Sequence, residues 1–292
     1  MNRRSFLKTI PLAAGVPAAL GSSSLNSLFF ADDEDALICA KKFELALSLN
    51  LRKKPIDEVI VEIGKSFLGV AYVAHSLEVP GEERLVVNLR GLDCVLFCEN
   101  SLSLARCVKK SKMTFEAYKA ELQFIRYRGG TIDRYPSRLH YFSDYIYDNE
   151  KKGVLKDITK LIGGVPYTKT INFMSTHVDS YPQLKEHPEF VKIIERQEAE
   201  ITKRDMYHIP KADVDSVASR IKNGDLIAIT CDIQGMDIAH TGIAIWQNDQ
   251  LHFMHAPIVG QKVMITEKTL AQYLAGNRKQ LGIMVARALE PA

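Results

Sequence analysis

Residues 91–100, GLDCVLFCEN, hold two cysteines, Cys94 and Cys98, four positions apart. A structural zinc site takes Cys or His ligands in closely spaced pairs, and no second pair of that kind follows. Residues i and i+4 of a helix hold their sulfurs poorly for a disulfide. Cys98, one turn into the expected helix beside Phe97 and Leu102, reads as packing, because free cysteine is among the most buried residue types. Cys94 differs, since it falls at the first helical position with Asp93 as N-cap. A helix N-terminus carries partial positive charge and unpaired N–H groups. That setting is expected to lower a thiol's pKa and to hold an oxyanion. Cys94 is therefore the candidate nucleophile, with Gly91 before it allowing a tight turn or close approach of a substrate.

A nucleophilic cysteine needs a base. The chain has eight histidines. His75, His140, His177, His187 and His208 lie in helical or irregular segments and read as structural. His240 and His255 flank an expected hairpin in residues 239–256, AHTGIAIWQNDQLHFMHA. With a two-residue loop at Asn248-Asp249, Trp246 pairs with Leu251 and Gly242 with His255. Side chains alternate along a strand, so His240, Gly242 and His255 share a face. The two imidazoles are then one diagonal step apart, with Gly242 leaving space between them. His252, opposite Ile245, points the other way; a three-residue loop exchanges His252 for His255. The expected chemistry is attack by Cys94, proton transfer to His240, and orientation of His240 by His255.

The elements that must position these groups follow from periodicity and caps. Helices are expected over residues 35–51, 56–68, 94–108, 114–127, 138–152 and 186–204, the last of them solvated. Residues 83–89, ERLVVNL, read as a strand. The last third changes character, with strands at 223–230, 239–256 (the hairpin), 263–265 and 281–289 and a short helix at 267–275. Helices first and an antiparallel sheet after them make an α+β protein.

Of 292 residues, 46% are hydrophobic and 25% charged, enough for a sizeable core. No run of eighteen or more apolar residues is present to span a membrane. Residues 1–31 have the layout of an export signal: Arg3-Arg4, then Phe6, Leu7 and Lys8, a mild apolar run, and a small polar stretch. The paired arginines resemble the twin-arginine type, so an exported, periplasmic protein is expected. Residues 32–292 read as a single domain with an insert around 112–206. The signal holds Arg3, Arg4 and Lys8 and no acid, so it accounts for the formal net charge of +3. The remainder is balanced, and no basic field argues for nucleic acid. Five cysteines are too few for a disulfide framework, and their odd number leaves at least one thiol free.

A Cys at a helix start, then HTGIAI on a strand, then a His about fifteen residues on, resembles the NlpC-type cell-wall cysteine hydrolases. Asp93-Cys94 matches that group's first motif, His240-Thr241-Gly242-Ile243 its second, and His255 its third member. The resemblance implies a papain-like core in which the nucleophile-bearing helix packs on an antiparallel sheet. Residues 126–146, RYRGGTIDRYPSRLHYFSDYI, and 172–177, NFMSTH, with Tyr181 and Leu184, resemble the insert of one branch, whose studied members are N-acetylmuramoyl-L-alanine amidases. That branch more often has Thr-Phe-Val where this chain has Leu96-Phe97-Cys98, which supports Cys98 as an apolar stand-in. The implied substrate is a peptidoglycan fragment, cut between the lactyl carbonyl of N-acetylmuramic acid and L-Ala through a thioester, with no cofactor and no metal. Arg128 and Arg138 are the expected carboxylate clamps. Asp93, Tyr135 and Tyr141 complete the expected substrate-binding set. Three readings compete: a γ-D-glutamyl-diamino-acid endopeptidase with the same catalytic line, a wall-binding protein with an inactive cysteine, and a zinc hydrolase using Cys94, His240 and His255.

Overall fold

Helices fill the first half of the chain in the computed structural model, which describes residues 23–292. They are α1 (Ser23–Ser48), α2 (Ile56–Lys65), α3 (Cys94–Lys109), α4 (Phe115–Arg126) and α5 (Phe142–Lys151). Two short strands follow, β1 (Leu155–Asp157) and β2 (Val165–Pro166), then helices α6 (Phe173–Thr176), α7 (Pro182–Glu186) and α8 (Pro188–Thr202). The last third carries β3 (Tyr207–Pro210), α9 (Val214–Val217), β4 (Leu226–Cys231), β5 (Ile238–Gln247), β6 (Gln250–His255), β7 (Met264–Ile265), α10 (Leu270–Ala275) and β8 (Gln280–Ala288). The chain divides into two units, Met1–Glu34 and Asp35–Ala292, and the sheet belongs to the second. Most of the expected export signal, residues 1–22, lies outside the described residues. No helix among the described residues is long and apolar enough to cross a membrane.

The strands form one antiparallel sheet in the order β2-β3-β8-β4-β5-β6-β7, with β1 also on β8, so the class is α+β as expected. All six residues of β4 are buried. Leu226 and Ala228 join Ile243, Ile245 and Met254 in the core beneath α2 and α3. Ile227 and Ile229 join Ala244, Phe253, Leu270 and Leu274 on the opposite face. A strand covered on both faces reads as a continuous apolar run rather than an alternation. Each of the larger side chains here, Leu, Ile, Phe and Met, contributes about 1.5–3 kcal/mol on burial.

The central helix is α3, buried from Leu96 to Val108. Asp93 caps it, its Oδ1 accepting from the Leu96 N–H at 2.8 Å. Its buried charged residues and Asn100 are paired, while the Ser101 and Ser103 hydroxyls are buried without a partner among the described residues. Arg126 Nε donates to Glu99 Oε2 at 2.8 Å, and Arg106 is salt-bridged to Glu121. Asn100 accepts from the Tyr118 hydroxyl at 2.7 Å and donates to the Asn88 carbonyl at 2.9 Å. Pairing of this kind is what lets a helix with so many polar residues be buried.

The hairpin has the expected two-residue loop. Asn248 and Asp249 take φ of 48° and 58°, the type I′ geometry whose twist matches the strands. Trp246 pairs with Leu251, Ile245 with His252 and Ile243 with Met254.

Four expectations differ from the structure. Residues 83–89 pair with no strand; side chains satisfy their backbone instead. Arg126 donates to the Val86 carbonyl, Tyr127 to the Arg84 carbonyl, and the Leu89 N–H donates to Asp35. The helix expected from residue 138 starts at Phe142, because residues 135–137 form a 3-10 turn and Arg138 is extended. Strands β1, β2 and β3 are additions, too short to carry a period-two signal. The expected solvated helix near 186–204 is α8, which buries one face through Phe190, Ile194 and Ile201.

Candidate active site

Cys94 and Val95 at the start of α3 meet His240 and Thr241 of β5 across a cavity of about 160 Å³. Residues 236–239, at and just before the start of β5, also line it, as do His140, Tyr141 and Phe142. Phe173, Met174 and Tyr181 complete the lining. Ordinary ligand pockets start near 300 Å³, so this space has room for a few atoms of a ligand rather than for a whole one.

His240 Nε2 lies 2.7 Å from His255 Nδ1, with the rings 5.0 Å apart and nearly perpendicular. His255 is 2% exposed and sits behind His240, away from the cavity lining. The alternation that puts both histidines on one face also brings Phe253 there, its ring 5.8 Å from His240 and 4.7 Å from His255. Gly242 makes room for that ring. A Cβ at 242 would stand 2.6 Å from the Phe253 edge and from the Met254 carbonyl. The space at Gly242 is thus filled by Phe253, while the imidazoles touch directly. His252 lies on the other face, its Nδ1 2.9 Å from the Thr266 carbonyl.

The electrostatics correct one expectation. Burial, then the nearby Asp93 charge, push the Cys94 thiol up to about 11, against hydrogen bonds from Thr241 that favour the thiolate. Burial draws His240 down to about 4, and burial with the His240 charge draws His255 to about 3. Desolvation penalises whichever form is charged, and here it outweighs the helix terminus. The resting pair at neutral pH is thiol and neutral imidazole. Alkylation of Cys94 by iodoacetamide is therefore expected to climb through the alkaline range toward about pH 11. A rate already maximal at pH 5, followed on the Cys94 peptide by mass spectrometry, would show a preformed ion pair instead. The other four cysteines are buried and compete little for reagent.

The expected substrate-binding residues separate. Tyr141 lines the cavity; its hydroxyl donates to Glu198 at 2.6 Å and accepts from the Met174 N–H at 2.9 Å. Asp93 serves as the α3 cap. Arg138 is 4% exposed, salt-bridged to Glu78 and bonded to the Leu77 carbonyl, and its guanidinium lies over the buried Tyr135 ring. Arg128 is bound to Asp144 and faces a separate groove with Tyr147, Arg196 and Arg204. Arg128, Tyr135 and Arg138 do not line the cavity that holds Cys94.

Other lining residues were not expected in the site, and His140 reads as structural in the sequence. His140 Nε2 lies 3.1 Å from the Tyr135 carbonyl, and burial holds it neutral, well below the usual histidine range. Asp237 accepts from the Ser143 N–H at 2.8 Å and so caps α5 from the loop just before β5. The N–H groups of Asn172 and Phe173 both donate to the Gly235 carbonyl, pinning the strap that carries Phe173 and Met174. These ties are long-range, and only the NFMSTH run hinted at the strap. Among the described residues no group of three or more His, Cys, Asp or Glu is arranged to hold a metal ion.

The family described as AmiA-like, N-acetylmuramoyl-L-alanine amidase-like, matches residues 62–283. The chain belongs to this family. Among solved structures it is similar to an N-acetylmuramoyl-L-alanine amidase from Bacteroides uniformis ATCC 8492, 36% identical with a TM-score of 0.76. That likeness covers 80% of this chain and 98% of the other. A protein from Bacteroides fragilis is also 36% identical, with a TM-score of 0.73 over 77% of this chain and 98% of its own. A Legionella pneumophila protein is 25% identical, with a TM-score of 0.69 over 89% and 96%. No curated protein matches the chain. The family match takes in α3 and the β5–β6 hairpin, the two elements that carry Cys94, His240 and His255.

Proposed function

We propose that this amidase-like protein is an exported cysteine hydrolase of the NlpC-type, papain-like kind. It cleaves the bond between N-acetylmuramic acid and L-Ala in peptidoglycan fragments through a thioester. The observation that carries this is the line Cys94–His240–His255: Cys94 and His240 line one cavity, and His240 Nε2 meets His255 Nδ1 at 2.7 Å. The family and the likeness to an N-acetylmuramoyl-L-alanine amidase support the choice of bond.

The chemistry assigns the tautomers. For His240 Nδ1 to act as the base, Nε2 carries the proton and donates to His255 Nδ1, 2.7 Å away. The Cys94 thiol transfers its proton to that nitrogen as sulfur attacks the lactyl carbonyl carbon. The Cys94 N–H, at the first position of α3, takes the oxyanion. Collapse breaks the C–N bond; the L-Ala nitrogen leaves with the proton from His240, and the muramoyl group stays on sulfur as a thioester. His240 then deprotonates water, which attacks the thioester and returns Cys94 to the thiol. Coupling proton transfer to attack suits a thiol of high pKa, since a free thiolate never accumulates.

The test is mass spectrometry of products from purified muropeptides. Free stem peptide and intact sugar are expected. Release of L-Ala-D-Glu or of a muramoyl dipeptide would sink the amidase in favour of the γ-D-glutamyl-diamino-acid endopeptidase.

A further inference from the structure

We propose that Thr241 is a positioning residue that holds Cys94 at a set distance from the strand carrying His240. The proposal rests on the reading of Cys94 and His240 as nucleophile and base. Thr241 is 1% exposed, and its hydroxyl donates to the Cys94 carbonyl at 2.9 Å. The two residues are 147 apart in sequence. The carbonyl of the first helical residue already accepts from the helix itself, so the hydroxyl occupies its second lone pair.

Alternation explains why this position can do it. His240 and Thr241 are neighbours on β5, and their side chains go to opposite faces. His240 turns toward His255, and Thr241 turns toward α3. One strand dipeptide therefore presents the base and grips the nucleophile's backbone. Around it, α3 meets β5 through apolar side chains such as Leu96, Phe97 and Ile243, which resist separation but not sliding. A hydrogen bond is directional, so it fixes where Cys94 stops along β5. The Thr241 N–H and hydroxyl also favour the Cys94 thiolate against burial, so the same hydroxyl can turn from the carbonyl to the sulfur as the proton leaves.

Thr241→Val keeps the shape and removes the hydroxyl, and Thr241→Ser keeps the hydroxyl and removes the methyl. Two readouts apply to the full-length protein: the pH midpoint of Cys94 alkylation by iodoacetamide, and kcat and KM on muropeptides. Thr241→Val is expected to move the midpoint to higher pH. Its kcat should fall about 10- to 100-fold, the range for misplacing a reacting group, with KM within about threefold. Thr241→Ser should recover both to within about threefold of wild type. Should the valine variant fail to fold, Thr241→Ala supplies the same loss of hydroxyl without added bulk. A wild-type midpoint and kcat in the valine or alanine variant overturns the proposal. So does a serine variant as impaired as valine, because the methyl's packing would then be the cause. Alkylation needs no substrate, so the absence of muropeptide turnover in wild type would reject the proposed function and leave the midpoint to decide on Thr241.

Discussion

Replacing Cys94 with Ser should lower turnover of muropeptides roughly a thousandfold or more, the scale of losing a covalent nucleophile. Replacing Cys98 with Val should leave it within about threefold. The asymmetry follows from the base. With its pKa near 4, His240 is a weak acceptor. It can assist a thiol, which is intrinsically nucleophilic, but it has little driving force to strip a hydroxyl. Serine would thus sit in the same place without being activated. Cys98 is fully buried, and its thiol contacts the Thr241 hydroxyl only at 3.7 Å, a weak sulfur contact. Valine fills that space, and the bond from Thr241 to Cys94 remains. Comparison of kcat/KM for both variants in one assay is decisive. A Cys94→Ser enzyme with more than about a tenth of wild-type activity would remove cysteine from the mechanism.

Arg126→Met should cost about 3–5 kcal/mol of stability at pH 7, the usual penalty for removing one partner of a buried ion pair. Arg126 is 1% exposed and lies between the Glu99 carboxylate and the Val86 carbonyl. Burial already raises the Glu99 pKa, and Arg126 is the largest influence lowering it. Without Arg126 that carboxyl moves further up, so the folded state binds its proton more readily than the unfolded chain does. Stability of the variant should then rise as pH falls, and the loss should shrink between pH 7 and pH 5. The double variant Glu99→Gln, Arg126→Met should recover part of it. Denaturant unfolding at the two pH values measures this; a loss below about 1 kcal/mol at pH 7 would mean that water or a rearranged side chain satisfies Glu99.

The parts of this molecule legible in its sequence are those governed by neighbours in the chain. Asp93 before Cys94 marks the start of α3 because capping involves residues three apart. Asn248-Asp249 sets the hairpin register because a type I′ turn admits few residue pairs, and the register decides which histidine faces His240. Distant partners defeat the same reasoning. Arg128 and Arg138 have the chemistry of carboxylate clamps, yet their carboxylates are Asp144 and Glu78, brought near by folding. Residues 83–89 have the composition of a strand, but Arg126, Tyr127 and Asp35 take the places of a neighbouring strand. The Cys94 pKa fails for a related reason. The helix terminus is local and visible, whereas the burial that outweighs it comes from the strap and the sheet.

The Asn248-Asp249 turn stands at the far end of the hairpin from His255, at the surface and outside the cavity. Its length nevertheless sets which ring stands behind the base, since removing one residue forces the pairing to slip by one and turns every β6 side chain over. Substitution and deletion should therefore part company there. Gly or Asn at either position keeps the left-handed backbone and should be silent. A single deleted residue would aim His252 at His240 and carry His255 to the opposite face. Relatives that share this mechanism should vary freely in the letters of this turn and never let its count fall below two.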